Sequence, residues 1–254
     1  MEGAALLERL SLARAPVVWH TARVLAIVEE TSHARTIALD VPEWPGHIAG
    51  QHVDVRLTAE DGYQAARSYS IASAPEEAGI ALTVERIDDG EVSPYLASEL
   101  QLDDEFEVRG PIGGHFTWRV KDGGPLLLIG GGSGLVPLMS MLRHRAAVAS
   151  VIDTRLLVSA RTWEDVLYRE ELSRRVEEPG LRVDYTLTRS RPSAWAGFAR
   201  RIDADMLASV GPGAREQPLI FVCGPTAFVE NAADLLVALG HPPGVIRTER
   251  FGPT

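Results

Sequence analysis

The sequence predicts two domains of different class: an antiparallel β-barrel with one short inserted helix, then an α/β unit built on a parallel sheet. Three observations carry this prediction. Residues 17–121 show short, alternating apolar segments between turn signals. Leu126 to Ile129 is then an unbroken apolar run ending in glycines, as in a strand buried on both faces. Beyond it, strand-like and helix-like segments alternate, which implies parallel strands covered by helices.

The elements follow in order. Val53, Val55 and Leu57 stand between polar neighbours, and Pro45-Gly46, Asp61-Gly62 and Asp89-Gly90 mark turns between strands. Ser93 to Leu100 has a helix-start residue, with Tyr95, Leu96 and Leu100 at helical spacing. Asp122-Gly123-Gly124-Pro125 punctuates the chain, so residues 1–16 are read as an N-terminal extension, 17–121 as the barrel and 122–254 as the α/β domain. Within the latter, Leu135–Val148, Trp163–Val176 and Ala227–Leu239 read as helices. Arg155–Val158, Leu181–Leu187 and Leu219–Cys223 read as strands.

The chain has 254 residues, is 45% hydrophobic and carries a formal net charge of -10, a composition suited to two ordinary cores. That charge disfavours nucleic acid or an anionic membrane as the main partner. Lys121 is the sole lysine, so positive charge is nearly all arginine. A lone Cys223 supplies neither an internal disulfide nor the ligands of an iron–sulfur cluster. The seven histidines, at 20, 33, 47, 52, 115, 144 and 241, lack metal-ligand spacing and read mostly as surface or turn residues, and no metal is expected. Met1 to Ala15 has no uninterrupted apolar core and no run approaches a membrane span, which gives a cytoplasmic expectation.

Two groups of residues suggest ligands. In Arg67-Ser68-Tyr69-Ser70, strand alternation puts Arg67 and Tyr69 on one face, a cation beside a ring, suited to a ligand with both a pyrophosphate and a flat ring system. The alternative is an ordinary strand with a solvated Arg67 and a core Tyr69. Gly130 to Gly134, between a buried strand and a helix, lets backbone amides approach a phosphate, and Cys223-Gly224-Pro225 ends a later strand of the same sheet, where ligands bind in open parallel sheets.

Arg-x-Tyr-Ser resembles the flavin signature of the ferredoxin–NADP reductase family, and the resemblance runs over almost the whole chain after about residue 17. It implies that Arg67 binds the FAD pyrophosphate, Tyr69 stacks on the isoalloxazine and Ser70 lies near its N5 atom, with Ser68 in the same segment. Gly90-Glu91-Val92-Ser93 resembles the family's Gly-x-x-Ser at a helix start, an anion site in physical terms as well, though a plain N-cap role for Ser93 is compatible. Arg86 either faces the pyrophosphate or adenosine or is a solvated edge arginine. Gly110 to Phe116 resembles the turn closing the flavin domain, which leaves His115 a structural residue.

Gly132-Ser133-Gly134 with Pro137 resembles the family's nucleotide loop. Ser159 and Arg161, with no acid before Glu164, favour NADPH over NADH, and Arg189 is a third candidate ligand. The resemblance also implies that Cys223, with Gly224 and Pro225, shapes the nicotinamide position and that Glu249 supports a polar network. Phe251 either covers the flavin or packs the tail between domains. The implied activity is a flavin-dependent NAD(P)H oxidoreductase serving a ferredoxin, a haem protein or an oxygenase component, without a fused ferredoxin domain. The alternatives are a reductase of free flavin or quinones and a non-catalytic flavin-binding regulatory subunit.

Overall fold

A computed structural model describes residues 18–252, so the N-terminal extension lies outside the described residues. The barrel consists of β1 (Trp19–Thr31), β2 (Ala34–Asp40), β3 (His52–Thr58), β4 (Gln64–Ser70), β5 (Ile80–Glu85) and β6 (Glu105–Ile112). These six strands are antiparallel in the order β4-β3-β6-β1-β2-β5, and an Ile71–Leu82 bridge brings the two edges together. Val53 and Val55 point into its core while His52, Asp54 and Arg56 point out, as period-two patterning requires. Helix α1 (Ser93–Ser98) sits between β5 and β6, where the sequence predicts an inserted helix.

The second domain holds β7 (Leu126–Gly131), β8 (Thr154–Ala160), β9 (Leu181–Leu187), β10 (Leu219–Pro225) and β11 (Ile246–Phe251). All pair in parallel, in the order β11-β10-β7-β8-β9. Helices α2 (Leu135–Ala147), α3 (Arg169–Arg175), α4 (Ala204–Val210) and α5 (Thr226–Ala238) complete it. Every residue of β7 is buried because alternate side chains enter different cores: Leu126 and Leu128 on one face of the sheet, Leu127 and Ile129 on the other. The order reverses beside β7, with β8 on one side and β10 on the other, so the loops after β7 and β10 adjoin at a topological switch point.

One prediction is corrected here. The helix expected over Trp163–Val176 begins only at Arg169, after Tyr168 takes a φ of 54°. Its first half instead follows the aromatic contacts of Trp163, whose ring lies 5.3 Å from Tyr185 and 5.4 Å from Trp195. Tertiary packing overrides local helix periodicity in that stretch.

The domains share a core. Ala34, Ala49, Ala72, Phe116 and Trp118 from the barrel side join the cluster beneath β7 and α2. Polar ties reinforce the seam: Ser140 Oγ donates to the Ser73 carbonyl at 2.7 Å, and Arg143 donates to the Ala72 carbonyl at 2.8 Å while pairing with Glu171 at 2.5 Å. Tyr168 also donates to Thr83 Oγ1. Among the described residues, no helix is long and apolar enough to cross a membrane.

Candidate functional site between the two domains

The glycine loop is built by steric necessity. A Cβ on Gly134 would lie 2.1 Å from the Cys223 carbonyl oxygen and 2.6 Å from the Gly224 nitrogen, a separation no side chain tolerates. The two loops therefore touch backbone to backbone, and Gly132, at a φ of 56°, turns the chain into α2. Pro137 is buried in the first turn of α2, where its missing N–H costs no hydrogen bond.

These loops line a cavity of about 230 Å³ with residues of both domains: Gly131, Gly132, Ser133, Ser159, Arg161, Pro225 and Phe251 from the sheet, His33 and Glu85 from the barrel. Ser159 is buried and Arg161 exposed at the end of β8. Arg189 is tied to this rim by its backbone N–H, which donates to the Arg161 carbonyl at 2.9 Å. The carboxylate of Asp165, also in the cavity wall, accepts the Thr162 N–H at 3.0 Å. Phe251 pairs in register with Pro225 and also packs against the shared core.

On the barrel, Arg67 lies opposite Val55 and Tyr69 opposite Val53, so both occupy the inward face of β4. Tyr69 packs against the barrel core, and burial pushes its hydroxyl up to about 12. Arg67 is half exposed and donates to Glu91 Oε2 at 2.6 Å, while Tyr63 donates to Glu91 Oε1 at 2.6 Å. Glu91, expected from its place in Gly-x-x-Ser to face a cofactor anion, presents its carboxylate to Arg67.

Ser68, Ser93 and Arg86 each find a partner within the fold, and the N-cap alternative for Ser93 is corrected. Ser68 faces the opposite side of β4 from Arg67, and its hydroxyl donates to Asp54 at 2.6 Å. Ser93 is not the N-cap of α1: Val92 occupies that position, and the buried Ser93 hydroxyl accepts the Ile87 N–H at 3.1 Å. Arg86 lies past the end of β5, exposed and paired with Asp88 at 2.9 Å. His115 is exposed, consistent with a structural turn.

The strands that carry Ser70 and Cys223 approach each other through their ladder neighbours. Ser70 stands opposite His52 in the β3–β4 ladder, and Cys223 stands opposite Glu249 in the β10–β11 ladder. His52 Nδ1 lies 3.8 Å from Glu249 Oε1, which links the two pairs. Burial pushes the Glu249 carboxyl up to about 7, and its Oε2 has no hydrogen-bond partner among the described residues. Burial, then the nearby Glu249 charge, pushes the Cys223 thiol well above its ordinary value, which favours the neutral thiol over the nucleophilic thiolate. Burial lowers the basicity of His52, against the opposing charge of Asp54.

Sequence reasoning missed His52, which reads there as a surface or turn histidine. His47 and His241 lie in connecting segments, as a turn reading expects, but are drawn inward, the latter only 5% exposed. No metal-binding cluster occurs among the described residues.

Residues 23–118 match the oxidoreductase FAD-binding domain and residues 128–234 the oxidoreductase NAD-binding domain. The chain is also 30% identical to ferredoxin–NADP reductase B of Sorangium cellulosum over 239 residues, covering 91% of this chain and 96% of that protein. The chain belongs to the ferredoxin–NADP reductase family. It is 32% identical to the glycine betaine monooxygenase reductase subunit of Chromohalobacter salexigens across 92% of its length, but spans only 65% of that relative. A solved cytochrome P450 reductase from Amycolatopsis superposes with a TM-score of 0.82 at 29% identity, covering 94% of this chain and 71% of that one.

Family membership fits the donors on β4 and in the glycine loop. A guanidinium and a phenol ring two residues apart on one strand face suit an anion joined to a flat ring, and the Gly132-Ser133-Gly134 loop, with only a small hydroxyl side chain, suits a second phosphate-bearing ligand. This member of the ferredoxin–NADP reductase family is a two-domain FAD- and NAD-binding oxidoreductase fold.

Proposed function

We propose that the protein is a reductase component: it takes hydride from NADPH onto FAD and passes electrons to a ferredoxin, a haem protein or an oxygenase component. Bound FAD supplies the chemistry that converts one two-electron entry into single-electron exits. The protein supplies position and electrostatics.

In this reading Arg67 pairs with the flavin pyrophosphate, near the chain segment Gly90 to Ser93, and Tyr69 packs on the ring system. Ser70 donates a hydrogen bond at the reacting edge of the ring. Gly132, Ser133 and Gly134, backed by Pro137, receive the nicotinamide nucleotide's pyrophosphate, and Ser159, Arg161 and Arg189 select its 2′-phosphate. Cys223, Gly224 and Pro225 bound the nicotinamide position. Glu249 and His52 hold a proton close to it, and Phe251 closes the rim. Residues 17–121 are taken as the flavin unit and 122–254 as the nucleotide unit.

The observation that carries the proposal is the 3.8 Å approach of His52 to Glu249, because it brings the strand pair holding Ser70 against the strand pair holding Cys223. The relatives named as reductase components support the direction of electron flow. The test is to add NADPH to the yellow protein without oxygen, then offer cytochrome c, ferricyanide, free FMN or a quinone. Rapid transfer to the one-electron acceptors supports the proposal. Transfer restricted to FMN or quinone favours a small-molecule reductase, and flavin that stays oxidised with both nucleotides favours a regulatory subunit.

A further inference from the structure

Arg67 already has an anionic partner supplied by the chain itself. Glu91 Oε2 accepts from Arg67 Nη2 at 2.6 Å, Arg67 Nη1 donates to the Ala66 carbonyl at 2.7 Å, and Tyr63 fixes the other carboxylate oxygen at 2.6 Å. Both terminal nitrogens of the guanidinium are thus engaged. The Tyr63 hydrogen bond, then that of Arg67, holds the Glu91 carboxyl below its ordinary range, so it is a full anion at neutral pH. Nearby, Glu60, Glu105 and Glu107 line an adjoining cavity of about 600 Å³ together with Glu91 and Tyr63, and Arg56 of the same lining is already paired with Glu107 at 2.6 Å.

We propose that Glu91 is an internal competitor for the flavin pyrophosphate: it occupies Arg67 in place of that anion, and FAD loading exchanges one ion pair for the other. Tyr63 keeps the displaced carboxylate from reorienting freely. The consequence is weaker and more salt-sensitive retention of FAD than Arg67 alone provides. The inference rests on Arg67 as the pyrophosphate ligand.

The test uses the full chain stripped of flavin and titrated with FAD and with riboflavin, which lacks phosphate. Glu91→Gln is expected to bind FAD about two- to fivefold more tightly at low ionic strength, given the worth of an exposed ion pair. The gain shrinks at high salt. Riboflavin affinity stays as in the wild type. Glu91→Ala serves as a second variant at this exposed position, and thermal unfolding checks that both variants fold.

Unchanged or weaker FAD binding by the folded variants overturns the proposal, since it means that Glu91 orients Arg67 for the anion or has no part in loading. An equal gain for riboflavin overturns it as well. Arg67→Ala separates this failure from that of the parent reading. If Arg67→Ala weakens FAD binding while the Glu91 variants gain nothing, only the competitor idea falls. If Arg67→Ala binds FAD like the wild type, the assignment of Arg67 falls too.

Discussion

His52 Nδ1 stands 3.8 Å from Glu249 Oε1 across the seam between barrel and sheet, and both side chains are about three-quarters buried. Burial raises the Glu249 carboxyl from 4.5 to about 7. Between those values the folded protein binds more protons than the unfolded chain, so the contribution of this group is fully present below about pH 4.5 and is lost as pH rises through 7. The full loss amounts to about 3 kcal/mol. Glu249→Gln is therefore expected to match the wild type near pH 4 and to exceed its stability by roughly 2–3 kcal/mol near pH 8. Urea unfolding at the two pH values checks this, and parallel pH profiles for the two proteins would contradict it.

Arg67 and Ser70 should separate binding from chemistry. Arg67→Ala removes a charge-assisted hydrogen bond to the flavin and should weaken FAD binding by about ten- to a hundredfold. Ser70→Ala should leave FAD bound but slow flavin reduction by NADPH about tenfold or more, the worth of one hydrogen bond made at the reacting edge. Equilibrium titration and stopped-flow absorbance read the two effects, and the reverse pattern would exchange the assignments.

Gly134→Ala forces a Cβ to within 2.1 Å of the Cys223 carbonyl oxygen, where the nearest atoms are backbone and have no rotamer into which to retreat. The two loops must separate. The expected result is a loss of about 1–3 kcal/mol in stability together with weakened nucleotide binding, measured by denaturant unfolding and NADP⁺ titration. A variant as stable as the wild type would mean that the loops part without cost.

Arg161 is assigned to the 2′-phosphate. Arg161→Ala should lower kcat/KM for NADPH by about ten- to a hundredfold and leave that for NADH within about twofold, because only NADPH carries the group it contacts. Equal losses with both nucleotides, or a wild-type preference for NADH, would show that the rim of β8 does not read the phosphate.

The fold was largely legible because each domain writes its class as a period. Val53 and Val55 alternate as a barrel strand requires, and Leu126 to Ile129 is continuously apolar because β7 is covered on both faces. The α3 start was not legible, since Trp163 satisfies helical spacing but is drawn into contact with Tyr185 and Trp195. Strand β11 and helix α4 also escaped notice: β11 is a half-buried edge strand and α4 a single short stretch, Ala204–Val210.

In the site, Arg67, Tyr69 and the Gly132–Gly134 loop announce themselves by local motif. The Arg67–Glu91 pair joins residues 24 positions apart through the folding of β4 against the turn before α1, and the His52–Glu249 approach depends on the packing of one domain on the other. No local pattern encodes either contact. Ser68 and Ser93 show the converse: each sits within a recognisable motif, and the fold adds a partner for its hydroxyl that the motif does not encode, Asp54 and Ile87 respectively.

Hydride transfer between the two domains is tested most directly by a single anaerobic mixing experiment: FAD-loaded protein against NADPH, followed by flavin absorbance on the stopped-flow timescale. Rapid bleaching with NADPH is expected, at a rate that Ser70→Ala lowers about tenfold or more while the flavin stays bound. A flavin that is held by the protein yet remains oxidised with NADPH and NADH alike would contradict hydride transfer across this cleft.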